Sequence, residues 1–230
     1  MRQSKPTILD GPRMRNIPKR SMRLIIFAVL GTALIGGLFV ASRLSSKQPD
    51  GNPYDNMHGW QSISGRWAEH AGVFSNPNYG RGDMLIAQRS QGANYRISAD
   101  IRFDLLFPDT HYGDAGLVIR TTDPEQGVDS YQGYYAGIRP DEQTVVLGRA
   151  SYDWRQLKAA RLVAPVSVGS WYRLEISAHG CALTVTVIPV GGGPTTQIDY
   201  QDSNCLTEGA AGLRSFYAQA SWRNVKIEQN

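Results

Sequence analysis

Alternation of apolar and polar side chains at every second residue constrains this 230-residue chain more than any other feature. In YRISADIRFD, Tyr95, Ile97, Ala99, Ile101 and Phe103 fall on one side, and Arg96, Ser98, Asp100, Arg102 and Asp104 on the other. Only an extended strand sends successive side chains to opposite faces, so the segment reads as a strand with one face in a core. WYRLEISAHG repeats the pattern with Tyr172, Leu174, Ile176 and Ala178 inward, and CALTVTVIPV with Leu183, Val185 and Val187. The AHGC between them supplies a tight turn, which predicts a hairpin. Further strands are predicted at 83–88, 115–121, 131–138, 144–150, 195–200, 210–216 and 220–228, with Gly, Pro, Asn and Asp between them. Ten or more short strands over about 170 residues, with no helical periodicity in the same span, predict an all-β fold. The expected architecture is an antiparallel β-sandwich forming one domain over residues 59–230.

A second texture precedes it. LIIFAVLGTALIGGLFVA, Leu24 to Ala41, contains no charge, and 18 residues at 1.5 Å each span about 27 Å, close to the hydrocarbon thickness of a bilayer. One transmembrane α-helix over residues 24–42 is expected, making the lipid bilayer a partner. The run is longer than a signal peptide needs, and Phe39-Val40-Ala41 puts a bulky residue where cleavage wants a small one. Residues 1–23 form a basic tail with seven Lys or Arg against one acid, which predicts a cytoplasmic N-terminus. The chain then reads as a single-pass membrane protein with its C-terminal domain periplasmic or extracellular. From Gly51 onward 15 basic residues face 18 acidic ones, a net charge of −3, so the pI of 9.1 comes from the tail and argues for no nucleic-acid partner. Residues 43–58, rich in Ser, Pro, Gly, Asn and Asp, read as a solvated linker. The two cysteines, Cys181 and Cys205, both lie in the exported part and read as a disulfide, the alternative being two buried thiols.

YRISADIRFD, GDAGLVIRTTD, YYAGI, GSWYRLEISAHGCALTVTV and IDYQDSNCLTEGAAGLRSFYAQASWRNVKI, taken in order, resemble concanavalin A-like jelly-roll domains. The pattern is similar to the carbohydrate-binding module at the C-terminus of levanases. It also resembles the 3-keto-disaccharide hydrolase domain family, which shares an opening like WQSISGRW, Trp60 to Trp67. The resemblance covers about residues 59–228 and implies a sandwich with a sugar-binding face, hence an oligo- or polysaccharide as partner. Fold alone does not fix function, so the residues themselves must carry the chemistry.

Glycosidase chemistry needs two carboxyl groups about 5–9.5 Å apart. Jelly-roll glucanases meet this with E-x-D-x-E runs on one strand face, and this chain has none. No nucleophile elbow occurs, and His58, His70, His111 and His179 are isolated, without triad or zinc spacing. What remains suits a polyol: planar bidentate groups and aromatic platforms. In HYGDAGLVIRTTD, Ala115, Leu117 and Ile119 take one face while Asp114, Gly116, Val118 and Arg120 take the other. In the next strand Tyr134, Ala136 and Ile138 leave Tyr135, Gly137 and Arg139 opposite. If these strands are neighbours with cores aligned, Arg120, Tyr135 and Arg139 share a face and form a candidate binding group. RASYDWRQ adds Tyr152, Asp153 and Trp154 in a loop. Jelly-roll relatives often carry a structural calcium, for which Asp109 and Asp114 are the candidate ligands, with Asp123 and Asp129 nearby.

The expected function is a membrane-anchored carbohydrate-binding, lectin-like domain without an evident catalytic centre. The alternatives are a glycoside-processing enzyme of the keto-disaccharide hydrolase kind and a non-catalytic envelope scaffold.

Overall fold

The alternating segments become the long strands of two seven-stranded antiparallel sheets in a computed structural model that describes residues 57–107 and 112–229. The first sheet runs in the order β1 (Trp60–Ser64), β4 (Arg81–Gln91), β13 (Gly209–Phe216), β6 (Asp114–Thr122), β7 (Gln132–Arg139), β8 (Thr144–Ser151), β9 (Trp154–Arg161). The second runs β12 (Thr196–Gln201), β11 (Ala182–Pro189), β10 (Trp171–His179), β5 (Tyr95–Leu106), β14 (Ala218–Gln229), β3 (Val73–Asn76), β2 (Ala68–His70). The predicted hairpin is β10–β11, with Ala178 opposite Leu183 and Tyr172 opposite Pro189. The apolar helix expected over residues 24–42 lies outside the described residues, as do the basic tail and most of the linker. Among the described residues no helix is long and apolar enough to cross a membrane.

The core between the sheets is built from the faces the alternation assigned to it. Ile97, Ile101 and Phe103 of β5, Leu117 and Ile119 of β6, Tyr134 and Ile138 of β7, and Leu174 and Ile176 of β10 are all fully buried in one cluster. Each large apolar side chain so buried contributes about 1.5–3 kcal/mol, and Ile101→Ala would cost about 2–5 kcal/mol. Trp67 and Trp222 pack at 5.0 Å in the same cluster, and the Trp67 indole N–H donates to the Ser64 carbonyl at 2.8 Å. The first sheet carries a second, smaller apolar cluster on its opposite face, made of Met84, Ile86, Val118, Tyr131, Tyr135 and Ala150. This outer face therefore holds buried groups without facing the other sheet, and that makes room for a site.

Four strands escape the alternation rule. β1, β2 and β3 are five, three and four residues long, too short to establish a period. β9, WRQLKAAR, is an edge strand with two arginines and a lysine, the charge pattern that keeps a sheet edge from pairing with another chain. Trp154 accordingly begins a strand rather than sitting in a loop as predicted, and only Tyr152 and Asp153 form the turn before it.

The disulfide Cys181–Cys205 is formed, joining the β10–β11 turn to the segment after β12. Beside it stands a correction to the sequence reading. β6 and β7 are neighbours with their cores aligned, Leu117 opposite Ala136 and Ile119 opposite Tyr134, as the alternation requires. The register then slips between Ile119 and Thr122, and Arg120 adopts a left-handed backbone with φ 52°. A bulge of this kind re-aims a side chain. Arg120 is fully buried and donates to the carbonyls of Leu206, Ala93 and Gly180, while its backbone N–H donates to the Tyr95 hydroxyl at 2.6 Å. It does not join Tyr135 and Arg139.

Candidate functional site

Four strands of the first sheet place their outward side chains together. On β6, Asp114 is 4% exposed, and its Oδ1 accepts a hydrogen bond from the Tyr135 hydroxyl of β7 at 2.5 Å. On β13, Leu213 goes to the core, so Arg214 and Phe216 go outward, with Arg214 opposite Gly116 and Phe216 opposite Asp114. The Arg214 guanidinium lies 3.5 Å from the Asp114 carboxylate and 2.8 Å from that of Asp129. It also lies 4.6 Å from the centre of the Tyr135 ring and 5.8 Å from that of Phe216. Arg139 ends β7 and is joined to Glu142 at 3.5 Å, and Trp154 of β9 meets Tyr135 edge-on at 6.0 Å. Tyr112, Val128 and Phe216 complete the wall of a cavity of about 80 Å³ around these groups.

Two glycines give the aromatic rings their places. A Cβ on Gly148 of β8 would stand 2.0 Å from the Trp154 indole, and one on Gly137 of β7 would stand 2.4 Å from the Tyr135 hydroxyl. Neither ring can lie along the sheet unless those positions lack a side chain. The glycines in YYAGI and VVLGRA are thus the sequence imprint of a recessed floor.

The electrostatics follow from burial. Desolvation pushes the Asp114 carboxyl above the ordinary carboxylate range, and the guanidinium of Arg214 with the Tyr135 hydrogen bond offsets this only in part. Burial, then the Asp114 charge, drives the Tyr135 hydroxyl well above 10, so it stays a donor. Arg214 stays charged, the surrounding tyrosines and carboxylates outweighing its own burial. Two arginines and two aspartates, Arg139, Arg214, Asp114 and Asp129, balance to zero formal charge. Three buried donors around them have no partner among the described residues: Arg214 Nε, Arg139 Nε and the Tyr131 hydroxyl. Unmet buried donors are rare in folded proteins, and a cluster of them calls for water or a ligand.

Of the groups singled out from the sequence, Tyr135, Arg139, Trp154 and Asp114 converge here. Tyr152, 50% exposed, donates to the Asp123 carbonyl at 3.2 Å, and Asp153 lines a different cleft. Sequence reasoning passed over Arg214 and Phe216, and named Asp129 only as a loop acid near the calcium candidates. Arg214 and Phe216 were readable as the outward partners of Leu213, whereas Asp129 sits in a turn that has no period. As for calcium, Asp109 lies outside the described residues, and Asp114 has a guanidinium at 3.5 Å, a poor neighbour for a cation. Among the described residues no three His, Cys, Asp or Glu side chains gather to hold a metal ion.

Among solved structures, the chain is similar to the carbohydrate binding module CBM66 from Bacillus subtilis, at 22% identity and TM-score 0.62, over 76% of this chain and 98% of that one. It is also similar to the Ca2+/Man-bound exoplasmic/lumenal domain of VIP36, at 13% identity and TM-score 0.59, over 77% and 88%. A third is a putative glycosyl hydrolase from Parabacteroides distasonis, at 12% identity and TM-score 0.52, over 75% and 88%. At these identities the likeness is one of fold, and it supports the lectin-like sandwich. No curated protein matches the chain. The family model described as the 3-keto-alpha-glucoside-1,2-lyase-like domain matches residues 49–228, and with three-quarters of its length so covered the chain belongs to that family.

Proposed function

We propose that residues 59–230 form a carbohydrate-recognition domain held on the far side of a membrane by the apolar segment 24–42. The observation that carries this reading is the recess around Arg214. The planar carboxylate and guanidinium groups of Asp114, Asp129, Arg139 and Arg214 line the same space as Trp154 and Phe216, with unmet N–H donors of the two arginines buried behind it. Sugars present paired hydroxyls and a weakly apolar ring face, which such a set satisfies. Its zero formal charge suits a neutral saccharide. The similarity to a carbohydrate binding module supports the same ligand class. Tyr135, Arg139 and Trp154 are the predicted contacts, joined by Asp114 and Arg214. The test is a glycan array probed with the full-length chain in mild detergent: binding to defined saccharides that Trp154→Ala abolishes is expected, and no binding to any saccharide refutes the reading.

A second reading is a lyase, favoured by the buried Asp114 carboxylate held against Tyr135 in the recess and by the family description. In a 1,2-elimination on a 3-keto-α-glucoside, Asp114 would take the C2 proton, which the neighbouring ketone acidifies. The C–H pair forms the C1=C2 bond, the C1–O bond breaks, and the departing oxygen is protonated by solvent. A raised carboxyl pKa strengthens the base. Incubation with a 3-keto-α-glucoside should then release the aglycone and a conjugated enone seen in the ultraviolet, and Asp114→Asn should remove that activity. Release unchanged in that variant, or none in the wild type, eliminates this reading.

A further inference from the structure

A second cleft opens where the sheet edges β9 and β12 approach one another. Its volume is about 450 Å³, and the residues that line it are arginine, aspartate, serine, asparagine and tyrosine. Arg149 of β8 and Arg155 of β9 are directly opposite in register, so they project to the same side, and Arg149 is the next alternate residue after the core side chains of Val145 and Leu147. Both arginines therefore face the gap between the sheets, where the sandwich is not closed by apolar side chains.

Most of one wall of the cleft is committed to the protein. Asp202 accepts from the Tyr134 hydroxyl at 2.7 Å, from the Asn204 backbone N–H at 3.0 Å and from Arg149 at 3.2 Å. Arg149 also donates to the Asn204 carbonyl. Asp153 accepts from the Trp154 backbone N–H at 2.8 Å. On β12, Asp199 accepts from Thr184 and Gln197, while Lys158 of β9 donates to the Asp199 carbonyl at 3.0 Å. The other cation is not committed. Arg155 is exposed and its side chain, among the described residues, has neither hydrogen bond nor ion pair, although it stands across from Arg149 with Lys158 three residues on. Asp202 is held by Tyr134, Asn204 and Arg149, and Asp153 accepts from the Trp154 N–H through one oxygen without pairing with Arg155, so the cleft presents one open guanidinium beside the hydroxyls of Ser151, Ser203 and Tyr200.

We propose that this cleft is a second saccharide site taking an acidic sugar unit, a hexuronate whose carboxylate pairs with Arg155 and whose hydroxyls meet Ser151, Ser203 and Tyr200. A guanidinium offers two parallel N–H groups that match a carboxylate, which a lone ammonium does not. The two arginines and two aspartates of this cleft also balance to zero formal charge; it differs from the Arg214 recess in that one of its guanidiniums, that of Arg155, is exposed and has no carboxylate partner among the described residues. The proposal rests on the carbohydrate reading above for its ligand class.

The test titrates the full chain in detergent by calorimetry with trigalacturonate and with a glucuronate-containing trisaccharide. The fully methyl-esterified trigalacturonate, the same polyol without charge, and inorganic phosphate serve as controls. At least one acidic trisaccharide should bind, weaken about tenfold in Arg155→Ala and less in Arg155→Lys, and weaken further with added salt. Because Arg155 is exposed, both variants should fold. An affinity unchanged in Arg155→Ala, equal competition by phosphate at the same concentration, or no binding of either acidic trisaccharide overturns the proposal. If neutral glycans still bind in a Trp154-dependent way, only the second site falls. If no saccharide of any kind binds, the carbohydrate reading falls with it.

Discussion

The outer faces of the two sheets carry the same residue types arranged to opposite ends. On the second sheet, Asp100 of β5 is 2% exposed and accepts from Arg173 at 2.5 Å, Asn224 at 2.7 Å and Arg223 at 3.4 Å. Trp171 lies between Arg102 at 4.8 Å and Arg223 at 4.2 Å, and Asp104 is bonded by Arg102 and Ser221. Burial alone would raise the Asp100 pKa, but the Arg173, Asn224 and Arg223 donors outweigh it and hold it below the usual range. On the first sheet, Asp114 is just as buried, yet its pKa is raised, and the donors left over belong to Arg214, Arg139 and Tyr131. No buried orphan lies on the outer face of the second sheet among the described residues. Arginines, carboxylates and a tryptophan on a strand face are therefore no mark of a site in themselves. Donors in excess of acceptors, over a floor kept low by glycine, are the mark.

The contrast breaks first on stability. Arg214→Met leaves the buried Asp114 and the half-buried Asp129 near each other without their shared cation and should cost about 3–5 kcal/mol in urea unfolding. Arg173→Ala leaves Asp100 with Asn224 and Arg223, and because Arg173 is 37% exposed the loss should stay under about 1 kcal/mol. Equal losses would mean that the two faces are alike. Next in size, Gly148→Ala forces the Trp154 indole off its floor and should weaken saccharide binding about tenfold or more on a glycan surface, with the fold retained by circular dichroism.

Acid titration gives a smaller, signed effect. Asp100 has a folded pKa below its unfolded value of about 3.9, so its ionised form adds stability above that pH and loses it as pH falls through the folded value. Asp114 has the opposite slope, its stability contribution declining as pH rises from about 3.9 to its raised folded pKa. Unfolding curves for Asp100→Asn and Asp114→Asn across pH 3 to 7 should therefore diverge from the wild type in opposite senses; parallel shifts would refute the assignment. Smallest of all, Tyr152→Ala, at a half-exposed turn position, should change stability by no more than about 0.5 kcal/mol and leave saccharide affinity in place.

Much of this was legible in the residues. Period two located ten strands and sorted core from outer face, because a strand has only two sides and one of them is dry. It placed Tyr135 and Arg139 outward correctly, since no bulge interrupts β7 between Tyr134 and Ile138. It misplaced Arg120 because one inserted residue reverses the phase, and a bulge leaves no trace in a polar-apolar pattern. Edge strand β9 was missed because its charges serve to repel other strands, which erases the alternation. Asp129, held by its backbone turn rather than a strand, becomes part of the recess only through long-range pairing with Arg214.

Arg120 has a consequence for the order in which this domain matures. Gly180 and Leu206, two of the residues whose carbonyls it gathers, are the immediate sequence neighbours of Cys181 and Cys205. Once the guanidinium has collected them, the two thiols stand side by side whether or not an oxidant has arrived, so correct pairing needs no search among partners. The covalent bond then arrives as a lock on a seam already drawn shut by a single cation.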